Sequence, residues 1–367
     1  MHDIRIERWA HTLVHYSLNA KAGETISIRA TPLAEPLVGA IYRQLLQVGA
    51  TPLVLIELES LEEILLREGT DEQLTTPAPL SALVAEHIDA QLTIASKSNT
   101  RALSGIQPAR MAKRRAANAQ VSSMLRARER TNSFRWASTL YPTLAYAQDA
   151  EMSLSEFEEF VFDVCFLNDA DPIARWKALS VQQQRLVDWL AGHKRVHVKA
   201  DGTDLRLSIE NRVFINSDGK RNFPSGEFFT GPVEQSVNGT IQFDIPSTFD
   251  GRAVEGVRLL FREGKVVEAS ARHGQDFLEQ MLDLDAGARY VGEFAFGNNP
   301  RVYRSVKNTL FDEKMGGTLH MALGNSYPET GGVNSSALHW DMVCDLRKSG
   351  EVWVDDTLFL KNGTILI

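Results

Sequence analysis

The periodicity of the chain changes near residue 190, and that change limits the fold more than any other feature. Before it, stretches with helical spacing alternate with short apolar runs. Residues 4–17 set Ile4, Trp9, Leu13 and Tyr16 at mostly helical spacing, with Gly23 as a stop. Residues 25–29 alternate like a strand, residues 34–48 read as a helix closed by Gly49, and residues 52–56 form a continuous apolar run. Such a run suits a strand buried on both faces. Helical stretches near 60–68 and 80–87 lead to a further strand at 90–94. Helix and strand in this alternation imply a parallel sheet with covering helices.

Between about 150 and 193 the pattern is helical. Ser153-Leu154-Ser155-Glu156 has the form of a capping box, in which the two side chains satisfy each other's free backbone donors. Asp171-Pro172 can start a next helix through Trp176 and Leu179, and Ser180 can cap a further one running to Gly192. This helical stretch reads as the bridge between domains. After it come short strands and turns. Residues 196–200 and 205–209 flank Asp201-Gly202, a pair suited to a tight reversing turn. More strands are expected at 239–243, 257–262, 265–270, 351–354 and 358–360, with one helix near 274–284. The expected architecture is α/β plus α+β. Residues 1–190 make a parallel-sheet domain with its helical bridge, and residues 191–367 a strand-rich domain carrying the site.

Charge and composition exclude several functions. The chain has 367 residues, 43% hydrophobic and 23% charged, with a net charge of −8. An acidic balance gives no global attraction to nucleic acid or anionic membrane. Residues 110–130 are locally basic, but no aromatic residue is interleaved to stack on bases, so a solvated helix face or subunit contact is the simpler reading. No apolar run approaches the roughly 20 residues that span a bilayer. Met1-His2-Asp3 opens an amphipathic pattern with no secretory apolar segment, and Cys165 and Cys344 are the only cysteines. A reducing cytoplasm is the expected compartment. No G-x-G-x-x-G or phosphate-loop motif occurs, so nothing points to a nucleotide.

The chemistry lies in four stretches of the second half. His339 and Asp341 in Leu338-His339-Trp340-Asp341-Met342 are two apart on an extended segment and project from one face. His320 stands between Leu319 and Met321, Glu227 between Gly226 and Phe228-Phe229, and Glu293 between Gly292 and Phe294. A carboxylate in apolar surroundings needs a partner or a cation. Glu227, Glu293, His320, His339 and Asp341 together make an oxygen and nitrogen ligand set for one or two divalent ions. Taken singly each has a plainer reading: a core histidine, a helix cap, a chance His-x-Asp pair. His197 reads as a hairpin or core-edge residue, and Glu329 as a loop acid or a proton shuttle.

Taken in order, Asn222-Phe223-Pro224-Ser225-Gly226-Glu227-Phe228-Phe229-Thr230, Gly292-Glu293, His320-Met321-Ala322-Leu323-Gly324-Asn325-Ser326-Tyr327 and Leu338-His339-Trp340-Asp341-Met342 resemble the successive signatures of the aminopeptidase T family. The resemblance implies a catalytic pair of divalent ions held by Glu227, Glu293, His320, His339 and Asp341, with Glu293 as bridge. It implies Tyr327 beside the metals, and Tyr327 and Glu293 as catalytic residues. Expected with it are removal of the N-terminal residue from short peptides by metal-activated water, Zn²⁺, Co²⁺, Mn²⁺ or Mg²⁺ as the ion, and a homodimer. The competing expectations are a dinuclear hydrolase of another amide or ester, and a non-catalytic ligand-binding protein whose acids are structural.

Overall fold

The computed structural model describes residues 3–367; the Met1-His2 opening of the first amphipathic pattern lies outside them. The chain divides into two compact units, one running to Ile173 and including Gly219–Phe223, the other Ala174–Asp218 with Pro224–Ile367.

The first unit is the expected α/β structure. Strands β1 (Thr25–Ala30), β2 (Thr51–Ile56), β3 (Ala90–Ala95) and β4 (Arg135–Leu140) lie parallel in the order β2-β1-β3-β4, and Asn222–Phe223 adds a short parallel segment beyond β4. Ile26 and Ile28 of β1 and Leu92 of β3 are fully buried under helices such as Ile4–Thr12 and Glu35–Val48. Strand β4 went unread in the sequence, because Arg135 and the short Ser138-Thr139 pair break its apolar run.

The basic stretch forms two helices, Pro108–Ala117 and Ala119–Arg130, neither of which buries a residue. Much of its charge ties the helices down. Arg110 donates to the carbonyls of Leu66 and Gly69, Arg114 to Thr76, and Arg128 to Ala85 and Ile88, while Lys113 pairs with Asp71.

In the second unit the sequence expectation fails at one place. Pro172–Leu190 is one continuous helix, with no new start at Ser180. The Ser180 hydroxyl donates to Asp218 Oδ2, and its carbonyl accepts from Asn216, so the side chain is used in a tertiary contact instead of a cap. The capping box at Ser153 and Glu156 does form.

Two large antiparallel sheets and a two-stranded ribbon, Ser247–Phe249 with Arg252–Val254, follow. The larger has eight strands and contains the expected hairpin, Arg195–Ala200 with Thr203–Ser208, turning at Asp201-Gly202. His197 in that hairpin pairs with Asp204 at 2.7 Å. The smaller is a five-stranded meander of β5 (Ile215–Ser217), β6 (Glu227–Thr230), β7 (Val291–Gly297), β8 (Thr318–Gly324) and β9 (His339–Asp345), ordered as in the chain. One face of this meander belongs to the hydrophobic core: Phe228, Phe294, Phe296, Leu319, Met321, Leu323, Trp340, Met342 and Cys344 pack with Val198, Leu205, Phe243 and Phe261 of the larger sheet. Strand alternation leaves every second residue of β6–β9 on the other face.

Candidate metal centre

That other face holds all five sequence-predicted ligands. Directly paired residues of an antiparallel sheet put their side chains on the same side, and here each functional side chain is paired with a small one. Glu227 faces Gly297, Glu293 and Asp341 both face Ala322, His320 faces Ala295, and His339 faces Gly324. Long polar side chains therefore converge over a floor of glycine and alanine. The register of β7 shifts between Val291 and Glu293, a bulge at Gly292. A Cβ at Gly292 would lie 2.3 Å from the Asn325 carbonyl oxygen, so only glycine admits the close approach that puts Glu293 in this row.

The convergence is tight and buried. His320 Nε2 lies 3.3 Å from Glu227 Oε2 and 3.6 Å from Glu293 Oε1. His339 Nε2 lies 3.3 Å from Glu293 Oε2 and 3.6 Å from Asp341 Oδ2. Glu293 thus presents one oxygen to each imidazole. His339 Nδ1 is 2.9 Å from the Asn325 carbonyl, an arrangement in which Nδ1–H donates and Nε2 is left as the free donor atom. Glu227 Oε2, His320 Nε2 and Asp341 Oδ1 are buried with no hydrogen-bond partner among the described residues. Orphaned buried polar atoms are expensive, and a cation would satisfy them.

Among the described residues, three overlapping groups have ligand atoms all within 4.8 Å of one another: Glu227, Glu293 and His320; Glu293, His339 and Asp341; and Glu313, His320 and Asp341. The first two share Glu293. The electrostatics follow from this crowding. Burial opposes the charged form of His320, but Glu293 and Glu227 outweigh it and raise its pKa to about 9. His339 rises to about 10, burial again opposing while Asp341 and Glu293 prevail. Burial alone would raise Glu293, yet the two imidazoles hold it below the usual carboxylate range. Burial pushes Asp341 up. The donor set of carboxylates and neutral imidazole nitrogens is what a divalent cation takes.

The profile of the family described as thermophilic metalloprotease (M29) matches residues 2–363. The chain belongs to the M29 metalloprotease family. Aminopeptidase 2 of Geobacillus stearothermophilus is 29% identical over 92% of this chain and 91% of its own length. Aminopeptidase T of Thermus thermophilus is 27% identical over 88% and 85%. A solved structure, wild-type AmpT from Thermus thermophilus, superposes with a TM-score of 0.87 at 24% identity and covers 99% of both chains, which shows the common fold. The resemblance carried by the four motifs is borne out.

Around this cluster the structure adds two residues that sequence reasoning missed. Glu313 and Lys314 follow the short helix Thr309–Asp312 and are both buried, Lys314 completely. Lys314 Nζ lies 2.6 Å from Glu227 Oε1 and also binds Glu313 Oε1. Burial works against its charge, but Glu227 and Glu313 prevail and hold its pKa above the usual lysine value. Asp312-Glu313-Lys314 reads as an ordinary charged turn. The direct neighbours of Glu313 are charged, unlike those of Glu227 and Glu293, and the apolar Phe311 and Met315 stand two positions away on either side of it. Of the remaining expectations, the Tyr327 ring lies 5.2 Å from the His339 ring and 5.3 Å from that of Phe229. Its phenol is pushed well above its usual pKa, by burial first and then by Glu293 and Asp341, although 37% of the residue stays exposed. Glu329 is exposed on the turn Pro328–Thr330.

Proposed function

We propose that this protein is a metal-dependent aminopeptidase that removes the N-terminal residue from short peptides, its second unit holding two divalent ions. The observation that carries the proposal is the pair of ligand groups sharing Glu293. Glu227 and His320 serve one position, His339 and Asp341 the neighbouring one, and Glu293 reaches both with separate oxygens. Glu313 adds a carboxylate to the same cluster. When bound, such ions lower the pKa of water and polarise a carbonyl.

The chain's own groups do the rest. The row of Ala295, Ala322, Gly297 and Gly324 leaves room for the ligands without a competing side chain. The Asn325 carbonyl fixes the tautomer of His339. Tyr327, kept as a neutral phenol by its raised pKa, donates a hydrogen bond to the oxyanion that develops on the scissile carbonyl. An acidic group beside the ions would anchor the free α-ammonium of a peptide, which restricts cleavage to the first bond. Among the described residues no helix is long and apolar enough to cross a membrane, and both cysteines are buried. We assign the protein to the reducing cytoplasm, as a homodimer, with short peptides as its partners and Zn²⁺, Co²⁺, Mn²⁺ or Mg²⁺ as its ions.

Exhaustive chelation should abolish release of nitroaniline from an aminoacyl-nitroanilide, and each of these ions can then be tried for recovery. Elemental analysis of the reloaded protein should give two ions per chain. Activity surviving chelation sinks the metal dependence. Equal cleavage of free and N-acetylated peptides sinks the aminopeptidase assignment in favour of a broader amide or ester hydrolase.

A further inference from the structure

The buried cluster contains one permanent cation of its own. Lys314 is 0% exposed, and its ammonium is shared between Glu227 Oε1, at 2.6 Å, and Glu313 Oε1. The other Glu227 oxygen, Oε2, is the one 3.3 Å from His320 Nε2, and it is buried with no hydrogen-bond partner among the described residues. Glu293 is different: among the described residues no lysine or arginine pairs with it, and each of its oxygens faces an imidazole. Two carboxylates of the same cluster are therefore presented in different ways. One is engaged at a single oxygen, and the other is open at both.

The lysine is held from behind. Its carbonyl accepts from Asn299 N at 2.9 Å, and the Asn299 side-chain amide donates to the Ser225 carbonyl at 3.0 Å, two residues before Glu227. Asn299 is itself fully buried. Lysine backbone and glutamate strand are thus tied to one residue, Asn299, the first through its backbone N–H and the second through its side-chain amide. A divalent ion that took both oxygens of Glu227 would have to displace the ammonium or sit directly against it, and like charges that close in a dry site repel strongly.

We propose that Lys314 is a positioning residue that restricts Glu227 to ligation through one oxygen, Oε2, and restricts Glu313 to its second oxygen in the same way, while Glu293 keeps both oxygens free to bridge. The inference rests on the ligand set proposed above. Outer partners of this kind orient metal ligands and tune the site.

Cobalt(II) reports the outcome without reference to catalysis, because its visible absorption weakens as the coordination number rises. In a high-resolution structure of the cobalt-loaded protein, Glu227 Oε2 should lie about 2.0–2.2 Å from the metal, with Lys314 still on Oε1. Cobalt on both oxygens of Glu227, or Lys314 swung away on loading, overturns the proposal. In Lys314→Met the second oxygen is released, and the visible band should lose intensity at equal cobalt content. A band that superimposes on that of the unaltered protein also overturns it. Glu227→Ala separates the two levels of inference. If its cobalt content and spectrum are unchanged, the ligand set itself is wrong. If they change while Lys314→Met does not alter the band, only the role of Lys314 is wrong. Should Lys314→Met fail to fold, the cobalt-loaded structure of the unaltered protein still decides.

Discussion

Loading the metal-free protein with a divalent ion should expel two protons at neutral pH. In the metal-free cluster His320 is raised to about 9 and His339 to about 10. At pH 7 both imidazoles therefore carry a proton all but about 1% of the time. Only the neutral ring binds a metal, so filling both positions releases close to two protons. The apparent binding constant for the pair then rises about 100-fold per pH unit between roughly pH 7 and 9, or about 2.7 kcal/mol per unit. Titration calorimetry at pH 7 in buffers of different ionisation enthalpy measures this, since the apparent heat changes in proportion to protons released. A slope near two supports the cluster as described; a slope near zero refutes the raised imidazoles and the ligand roles built on them. Stability supplies a check of opposite sign. Both histidines have folded-state values above the unfolded value of about 6.5. Their contribution to metal-free stability is complete below that value and is lost as the pH rises through about 9 to 10. The melting temperature of the metal-free protein should therefore fall between pH 7 and 10, while the gain on adding metal should grow over the same range.

Glu293→Gln should abolish peptide cleavage and the second metal equivalent together, whereas Tyr327→Phe should leave metal content intact and lower kcat about 100-fold; the reverse order would undo both assignments. Gly226 has φ +109°, and a Cβ there would meet Asn299 Cβ at 2.7 Å. Gly226→Ala should accordingly destabilise the fold by more than 1 kcal/mol in chemical denaturation and weaken metal binding, because it shifts Glu227. Trp340 is 1% exposed, stacks with Phe249 and donates to Ser247 Oγ at 2.8 Å on the core side of β9. Trp340→Ala should cost about 3–5 kcal/mol in the same measurement, and a loss below 1 kcal/mol would contradict the packing behind His339 and Asp341.

Much of the centre was legible because strand alternation is a local rule. His339 and Asp341 are two apart, so an extended segment aims both at one face and Trp340 at the other, whatever the rest of the chain does. The parallel sheet of the first unit was likewise readable where apolar runs and helical spacing were continuous, as at residues 34–48. The apolar run at 52–56 does form a strand, but at the sheet edge and only partly buried, not covered on both faces as expected. Reading stopped where a residue's role depends on a distant partner. Ser180 has the chemistry of a helix cap, and its hydroxyl instead meets Asp218 in the middle of a helix. Asn222–Phe223 lies far along the chain and completes the edge of a sheet begun at Thr25.

By itself, then, the sequence pointed to the residues proposed to hold the metal and to the extended segments they occupy, since apolar bracketing and period two act over a few neighbours. Only the tertiary structure decided how those residues are used. Strand register put an alanine or glycine on one side of each proposed ligand, the bulge at Gly292 brought Glu293 into the row between the two imidazoles, and the turn after Asp312 buried Lys314 against Glu227. Such placements depend on pairing between segments up to about a hundred residues apart, where loop closure and packing of the whole core outweigh any local preference.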